Sequence, residues 1–194
     1  MAIPSANGSG GGATWFTADT HFGDHRTLNI HKRGFESVAA MDAGLIAGWN
    51  ARVAPGDTVW HLGDVARRLA DVAGLLARLN GTKHLIRGNN DDPAIADVPG
   101  WASVRDYAEI TLDDRLLILC HYPLRSWNRQ HRGAIDLHGH SHGRLTPMLR
   151  QFDVGVDPRG FRPVALAELL DQASRPNCSI RRAGRRAPSP PEGR

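Results

Sequence analysis

The sequence predicts an α/β domain, on three observations. Short apolar runs of strand character alternate with stretches whose apolar residues recur at helical spacing. Strand after strand stops at a polar group, as in α/β sheets whose ligand site lies beyond the carboxyl ends of the strands. The chain has 194 residues, 41% hydrophobic and 23% charged, which suits one sizeable core and argues against wholesale disorder.

Residues 1–12 are rich in Gly, Ser and Asn and read as a flexible lead-in to a domain spanning 13–171. Residues 13–18 are β-prone and run into Asp19. Met41, Leu45, Ile46 and Trp49 recur at helical spacing and predict a helix near 38–52, closed by the turn Pro55-Gly56-Asp57. A strand over 58–62 ends at Gly63-Asp64. Leu69, Val72, Leu75, Leu76 and Leu79 give a second helix over 67–79, which Asn80-Gly81 stops. A strand over 83–87 ends at Gly88-Asn89, and further strands are expected at 103–111, 115–120, 134–138 and 152–156. From residue 172 the chain turns polar, Pro-rich and basic, and is expected to be disordered.

That tail changes the meaning of the net charge. It holds six Arg and one acid, a net of +5 against +4 for the whole chain, which leaves residues 1–171 at −1. The basic balance is therefore weak evidence for a nucleic-acid surface, although the tail could tether one electrostatically. No apolar run approaches the roughly 20 residues that cross a bilayer. The two Cys, Cys120 and Cys178, form no close-spaced pair, so reduced thiols in a cytoplasmic protein are expected. Ten His are the compositional signal that remains to be explained.

Several of them sit in recognisable groups. Asp19-Thr20-His21 puts an oxygen and a nitrogen ligand two residues apart, on one side of an extended chain, and His140-Ser141-His142 does the same with two imidazoles. Asp64 and Asn89 each follow a Gly that permits a sharp turn or close backbone approach, and His121 follows the apolar strand Leu-Leu-Ile-Leu-Cys. Four His, two Asp and one Asn exceed one metal site and suit two. Mixed imidazole and carboxylate donors favour first-row metals such as Mn, Fe or Zn over Ca or Mg. Each group alone has a bland reading as a turn; all five in this order do not.

The order D-x-H, G-D, G-N-x-D, His and G-H-x-H resembles the calcineurin-like metallophosphoesterase superfamily, and within it the small bacterial and phage-type single-domain members. The likeness runs from about residue 14 to 164, through FTADTHFG, TVWHLGDVA, HLIRGNND, LCHYPL and LHGHSHG. It implies a four-layer α/β/β/α sandwich of two mixed sheets, with a dinuclear metal site at the carboxyl ends of the strands. It also implies a ligand set. One divalent first-row cation would take Asp19, His21, Asp64 and His142; the other would take Asp64, Asn89, His121 and His140, with Asp64 bridging. Manganese comes first among the candidates, with Fe, Zn, Ni or Co as alternatives. The implied chemistry is attack on a phosphoester by a hydroxide that bridges the two metals. Arg87 and Arg67 match arginine positions that contact phosphate, or else cover surface with their stems, and Asp91 would orient a neighbour.

One position departs from the family. Where most members have His in G-N-H-D, this chain has Asn90, and an amide cannot donate a proton as an acid. Esters with poor leaving groups need that proton most, so the expectation leans to phosphodiesters over phosphomonoesters. The expected partner is a small phosphate ester such as a nucleotide, with nucleic acid less favoured and no membrane. The competing reading is a non-catalytic metal-binding scaffold for protein partners. His25, or His131 in the loop 123–133, could replace the missing acid, and Trp127 could stack on a base or else be the one buried residue of a solvated loop. His61, His84 and His138 are expected to pack, and His31 to lie on the surface.

Overall fold

The computed structural model describes residues 12–146 and 148–174. Nine strands form two mixed sheets. In the first sheet, β1 (Thr14–Thr17), β2 (Thr58–His61), β3 (Thr82–Ile86) and β4 (Trp101–Arg105) run parallel, and β9 (Val164–Ala165) pairs antiparallel beside β1, in the order β4-β3-β2-β1-β9. The second sheet has the order β5-β6-β7-β8, from β5 (Tyr107–Leu112), β6 (Arg115–Cys120), β7 (Ile135–His138) and β8 (Gln151–Asp153). There β5 is antiparallel to β6, while β6, β7 and β8 are parallel.

Period-2 alternation sorts the side chains into layers. Phe16, Trp60, Leu62 and Ile86 from the first sheet meet Leu117, Leu119, Ile135, Leu137 and Phe152 from the second in one buried cluster. The intervening residues Val59 and Leu85 face the other way, towards α2 (Val38–Asn50) and α3 (Leu69–Arg78), where they join Met41, Leu45, Trp49, Val72, Leu75 and Leu76. The outer face of the second sheet carries a thin cover: Trp127 and Ala134, from the loop 123–134, pack on Ile118. Ala18 bridges to Gly155, and the Val156 amide donates to the Ala18 carbonyl, so the two sheets are tied together at the carboxyl ends of β1 and β8.

Three expectations need revision. The run 103–111 is not one strand: the chain leaves the first sheet after Arg105 and enters the second at Tyr107, with Asp106 as the crossing point. Two helices were missed, α1 (His25–Ile30), capped by the Asp24 carboxylate, and α4 (Leu166–Ser174), which continues past the expected domain edge at residue 171. Finally, Trp127 is buried with its indole N–H given to the Ala134 carbonyl, so it is not a platform for a base. Residues 1–11 and 175–194, where the lead-in and most of the basic tail were expected, lie outside the described residues, as does Cys178; among the described residues Cys120 has no disulfide partner. Among the described residues no helix is long and apolar enough to cross a membrane.

Candidate metal centre

All seven sequence-predicted ligands lie just beyond strand ends. Asp19 and His21 follow β1, Asp64 follows β2, Asn89 follows β3, His121 follows β6, and His140 and His142 follow β7. Because β1, β2 and β3 are parallel neighbours, and so are β6 and β7, their carboxyl ends open on one place. The backbone is bent to reach it. Asp19, His21, Asp64, His140 and His142 all have φ between 48° and 66°, a region that L-residues avoid and that costs on the order of 1–3 kcal/mol each. Glycine makes room beside them: a Cβ on Gly88 would stand 2.2 Å from Asp64 Oδ1, and one on Gly63 would stand 2.6 Å from His121 Nδ1.

Donors and acceptors do not balance here. His121 Nδ1 is 2.7 Å from the Leu62 carbonyl and must donate to it, which leaves Nε2 with a lone pair. That Nε2 lies 3.0 Å from Asn89 Oδ1 and 3.7 Å from Asp64 Oδ1, both acceptors. His140 Nδ1 approaches the same Asn89 oxygen at 2.9 Å. On the other side, His21 Nε2 stands 3.4 Å from Asp64 Oδ2, and His21 Nε2 and Asp19 Oδ2 are buried without a hydrogen-bond partner. Asp19, His21 and His142 bring ligand atoms within 4.8 Å of one another, and so do Asp19, Asp64 and His121. Two buried ligand atoms without a partner, Asp19 Oδ2 and His21 Nε2, set among further converging oxygen and nitrogen ligands, are what a divalent cation satisfies, so the residues fit the metals that the sequence implied.

Titration follows the same crowding. Burial, then the nearby Asp153 and other carboxylates, push the Asp19 carboxyl well above its ordinary value. Burial lowers His21 to about 4, so its imidazole is unprotonated at neutral pH, as a ligand must be, and burial lowers His140 as well.

Around the ligands stands a layer of positioning groups, only one of which was read from the sequence. Asp91 Oδ2 accepts from the amides of Asp64 and Gly88, and Oδ1 from that of Val65, each at 2.8 Å, which locks the loops after β2 and β3 together. Sequence reasoning missed Arg33, Asp153 and Asp157. Arg33 is buried and donates to the backbone carbonyls of Asp19 and Thr20 and to both oxygens of Asp157. Asp157 in turn accepts from His142 Nδ1 at 2.7 Å, which leaves Nε2 of that ring for a cation. Asp153 takes the Ser141 hydroxyl and the Gly143 amide, fixing the G-H-x-H loop. The one available signal was Asp153-Val-Gly-Val-Asp157, two acids flanking a Gly just beyond a strand.

The remaining candidates divide. Asn90 is at the site: its amide nitrogen donates to Asp64 Oδ2 at 2.7 Å and its backbone N–H to Oδ1 at 2.9 Å. Arg67 lines the cleft over the ligands, which measures about 630 Å³. Arg87 faces a separate depression, beside Cys120 and Tyr122, and forks onto Asp106 at 2.8 Å through two nitrogens. His25 and His131 are exposed and do not line the cleft. His31 is not a free surface residue: its ring stacks on His142 with centroids 3.6 Å apart.

Comparison with known proteins agrees with this architecture. A solved protein of unknown function from Aquifex aeolicus superposes with a TM-score of 0.65 at 20% identity, over 81% of this chain and 97% of its own. The two chains share one fold. No family model matches the sequence. Among curated proteins, it is 29% identical over 196 residues to the Gene 66 protein of Mycobacterium phage L5, covering 81% of this chain and 92% of that protein. It is 28% identical over 162 residues to an uncharacterized protein of Methanocaldococcus jannaschii, covering 78% and 86%. In this shared architecture every predicted ligand stands at its strand end.

Proposed function

We propose that the chain is a dinuclear metal-dependent phosphoester hydrolase that prefers phosphodiesters. The observation that supports this best is the convergence, from five strand ends, of carboxylate, amide and imidazole ligand atoms, two of which, Asp19 Oδ2 and His21 Nε2, are buried without a hydrogen-bond partner. Asp19, His21, Asp64 and His142 would hold one cation, and Asp64, Asn89, His121 and His140 the other. Manganese suits this nitrogen and oxygen donor set, with Fe, Zn, Ni and Co as alternatives. When bound, two such cations neutralise phosphoryl charge and acidify an attacking water.

The protein's own groups do the rest. Arg67 lines the cleft and can bind a phosphoryl oxygen as the charge on it grows. Arg87 could do so only by leaving Asp106, which makes it the weaker candidate. Asn90 is where an acid would be expected to protonate the departing oxygen, and it can only hydrogen-bond. A general acid is worth ~10²–10⁴-fold, so its absence penalises alkoxide leaving groups most and favours esters whose leaving group carries its own charge without help. A small phosphate ester such as a nucleotide fits the dimensions of the cleft. We place the chain in a reducing, cytoplasmic setting because its two cysteines form no close-spaced pair.

Hydrolysis of bis(p-nitrophenyl) phosphate and p-nitrophenyl phosphate by the metal-loaded chain tests the reading. The diester is expected to be cleaved faster, and Asp64→Ala or His121→Ala to abolish turnover of both. Failure on both esters with Mn, Fe, Zn, Ni and Co would refute the hydrolase. A monoester preference would refute the argument from Asn90 alone.

A further inference from the structure

The cleft over the ligands is several times larger than one phosphate group requires, and part of its lining has no role in the scheme above. That part comes from α1 and from the loop after the G-H-x-H motif. Arg26 and Ile30 lie four residues apart on the same side of α1, about 6 Å along its axis, and both line the cleft. At the carboxyl end of the helix, Arg144 places Nη2 3.0 Å from His31 Nδ1 and 3.5 Å from the Ile30 carbonyl. The His31 ring lies flat on His142, so Arg144 is held one ring away from a metal ligand.

Two features of this wall point to a ligand. First, among the described residues neither Arg26 nor Arg144 forms an ion pair, and Asp24, a carboxylate that lines the cleft, is already taken by the Arg26 amide and the Thr27 hydroxyl. Two guanidinium groups without counter-charges, in one concave site, favour an anion that they can bind through paired N–H groups. Second, Ile30 and Leu145 remain 57% and 50% exposed although both line the cleft, and they leave an apolar strip beside the two arginines. A ligand with an uncharged middle and an anion at each end matches that sequence of surfaces.

We propose that Arg26 and Arg144 form a second anion subsite, and that the cleft takes small phosphodiesters carrying a further phosphate group one sugar unit from the scissile one, a spacing that a nucleoside bisphosphate reproduces for binding. The proposal rests on the phosphoester-hydrolase reading for the first phosphate. The second phosphate is not transformed; it is held while the ester at the metal centre reacts.

Binding affinity decides this without turnover. Thymidine 3′,5′-bisphosphate and thymidine 5′-monophosphate are titrated calorimetrically into the full, Mn-loaded chain, with phosphorus NMR confirming that both ligands stay intact. Charge-assisted hydrogen bonds to a second phosphate should make the bisphosphate bind about 10-fold or more tightly than the monophosphate. In R26A/R144A that ratio should fall to near one, and R26K/R144K should restore part of it. Equal affinities in the wild type, or a preference that survives R26A/R144A, would overturn the subsite. Because the ratio is read without catalysis, loss of the subsite and loss of the hydrolase reading produce different results.

Discussion

Replacing Asp157 by Asn keeps the shape of the side chain and removes its charge, which isolates what that buried carboxylate does. In the native protein it accepts from His142 Nδ1 at 2.7 Å and from Arg33 at 3.0 and 2.8 Å. Burial would raise this carboxyl, but the hydrogen bonds from His142 and Arg33 override burial and hold it at about 2, against an ordinary 3.8. Since the folded value is the lower one, the ionised group stabilises the fold above pH 3.8, and the contribution disappears as pH falls towards 2. At ~1.4 kcal/mol per pKa unit that amounts to roughly 2 kcal/mol. The variant also leaves the Arg33 side chain, which is 0% exposed, without its counter-charge. Breaking a buried pair in this way costs about 3–5 kcal/mol, and the two figures overlap rather than add. Because Asp157 also orients His142, and Arg33 clamps the Asp19 carbonyl, metal affinity should drop ~10–100-fold. Urea unfolding of the metal-free protein at pH 7 and Mn²⁺ titration read the two effects separately. Asp157→Asn with wild-type stability and wild-type Mn²⁺ affinity would show that the Arg33–Asp157–His142 chain positions nothing.

Asn90→His restores a proton donor beside Asp64 and should raise the monoester-to-diester rate ratio by as much as ~10²–10⁴-fold; an unchanged ratio would mean that the leaving group needs no proton at that position. His61 tests the acid side of stability. Burial lowers its pKa from 6.5 to about 3, so the neutral ring stabilises the fold above pH 6.5 and that support erodes as pH falls, by roughly 1.4 kcal/mol per unit for this one group. His61→Gln should therefore unfold with a shallower pH dependence between pH 6.5 and 4, and parallel curves for variant and wild type would contradict the assignment.

What the sequence made legible has a physical pattern. A ligand at a strand end announces itself, because an apolar run stops at a polar group that packing does not explain: Asp19, Asp64, Asn89, His121 and His140 were all readable in that way. The left-handed backbone at five of the ligands was not readable, since Asp and His carry no local mark of a strained φ. Arg33 was invisible for a different reason. Its partners Asp19, Thr20 and Asp157 lie 14, 13 and 124 residues away, so only the finished fold brings them to it. Helix α1, at six residues, is too short to show a period, whereas Leu166, Leu169, Leu170 and Ala173 did carry the helical spacing of α4 and were obscured by the basic segment that follows. The break at Asp106 was signalled only by two consecutive polar residues, Arg105-Asp106, with no Gly or Pro to mark the point where the chain changes sheets. His31 shows the limit of composition: its role as a ring stacked on His142 depends on a contact across 111 residues.

The proposed hydrolase needs two cations sharing Asp64. Elemental analysis of the full chain after dialysis against Mn²⁺ measures that directly. Two equivalents per chain are expected in the wild type, falling together in Asp64→Asn because both positions use that carboxylate. A wild-type chain that retains one equivalent or none, or an Asp64→Asn variant that still retains two, would contradict it.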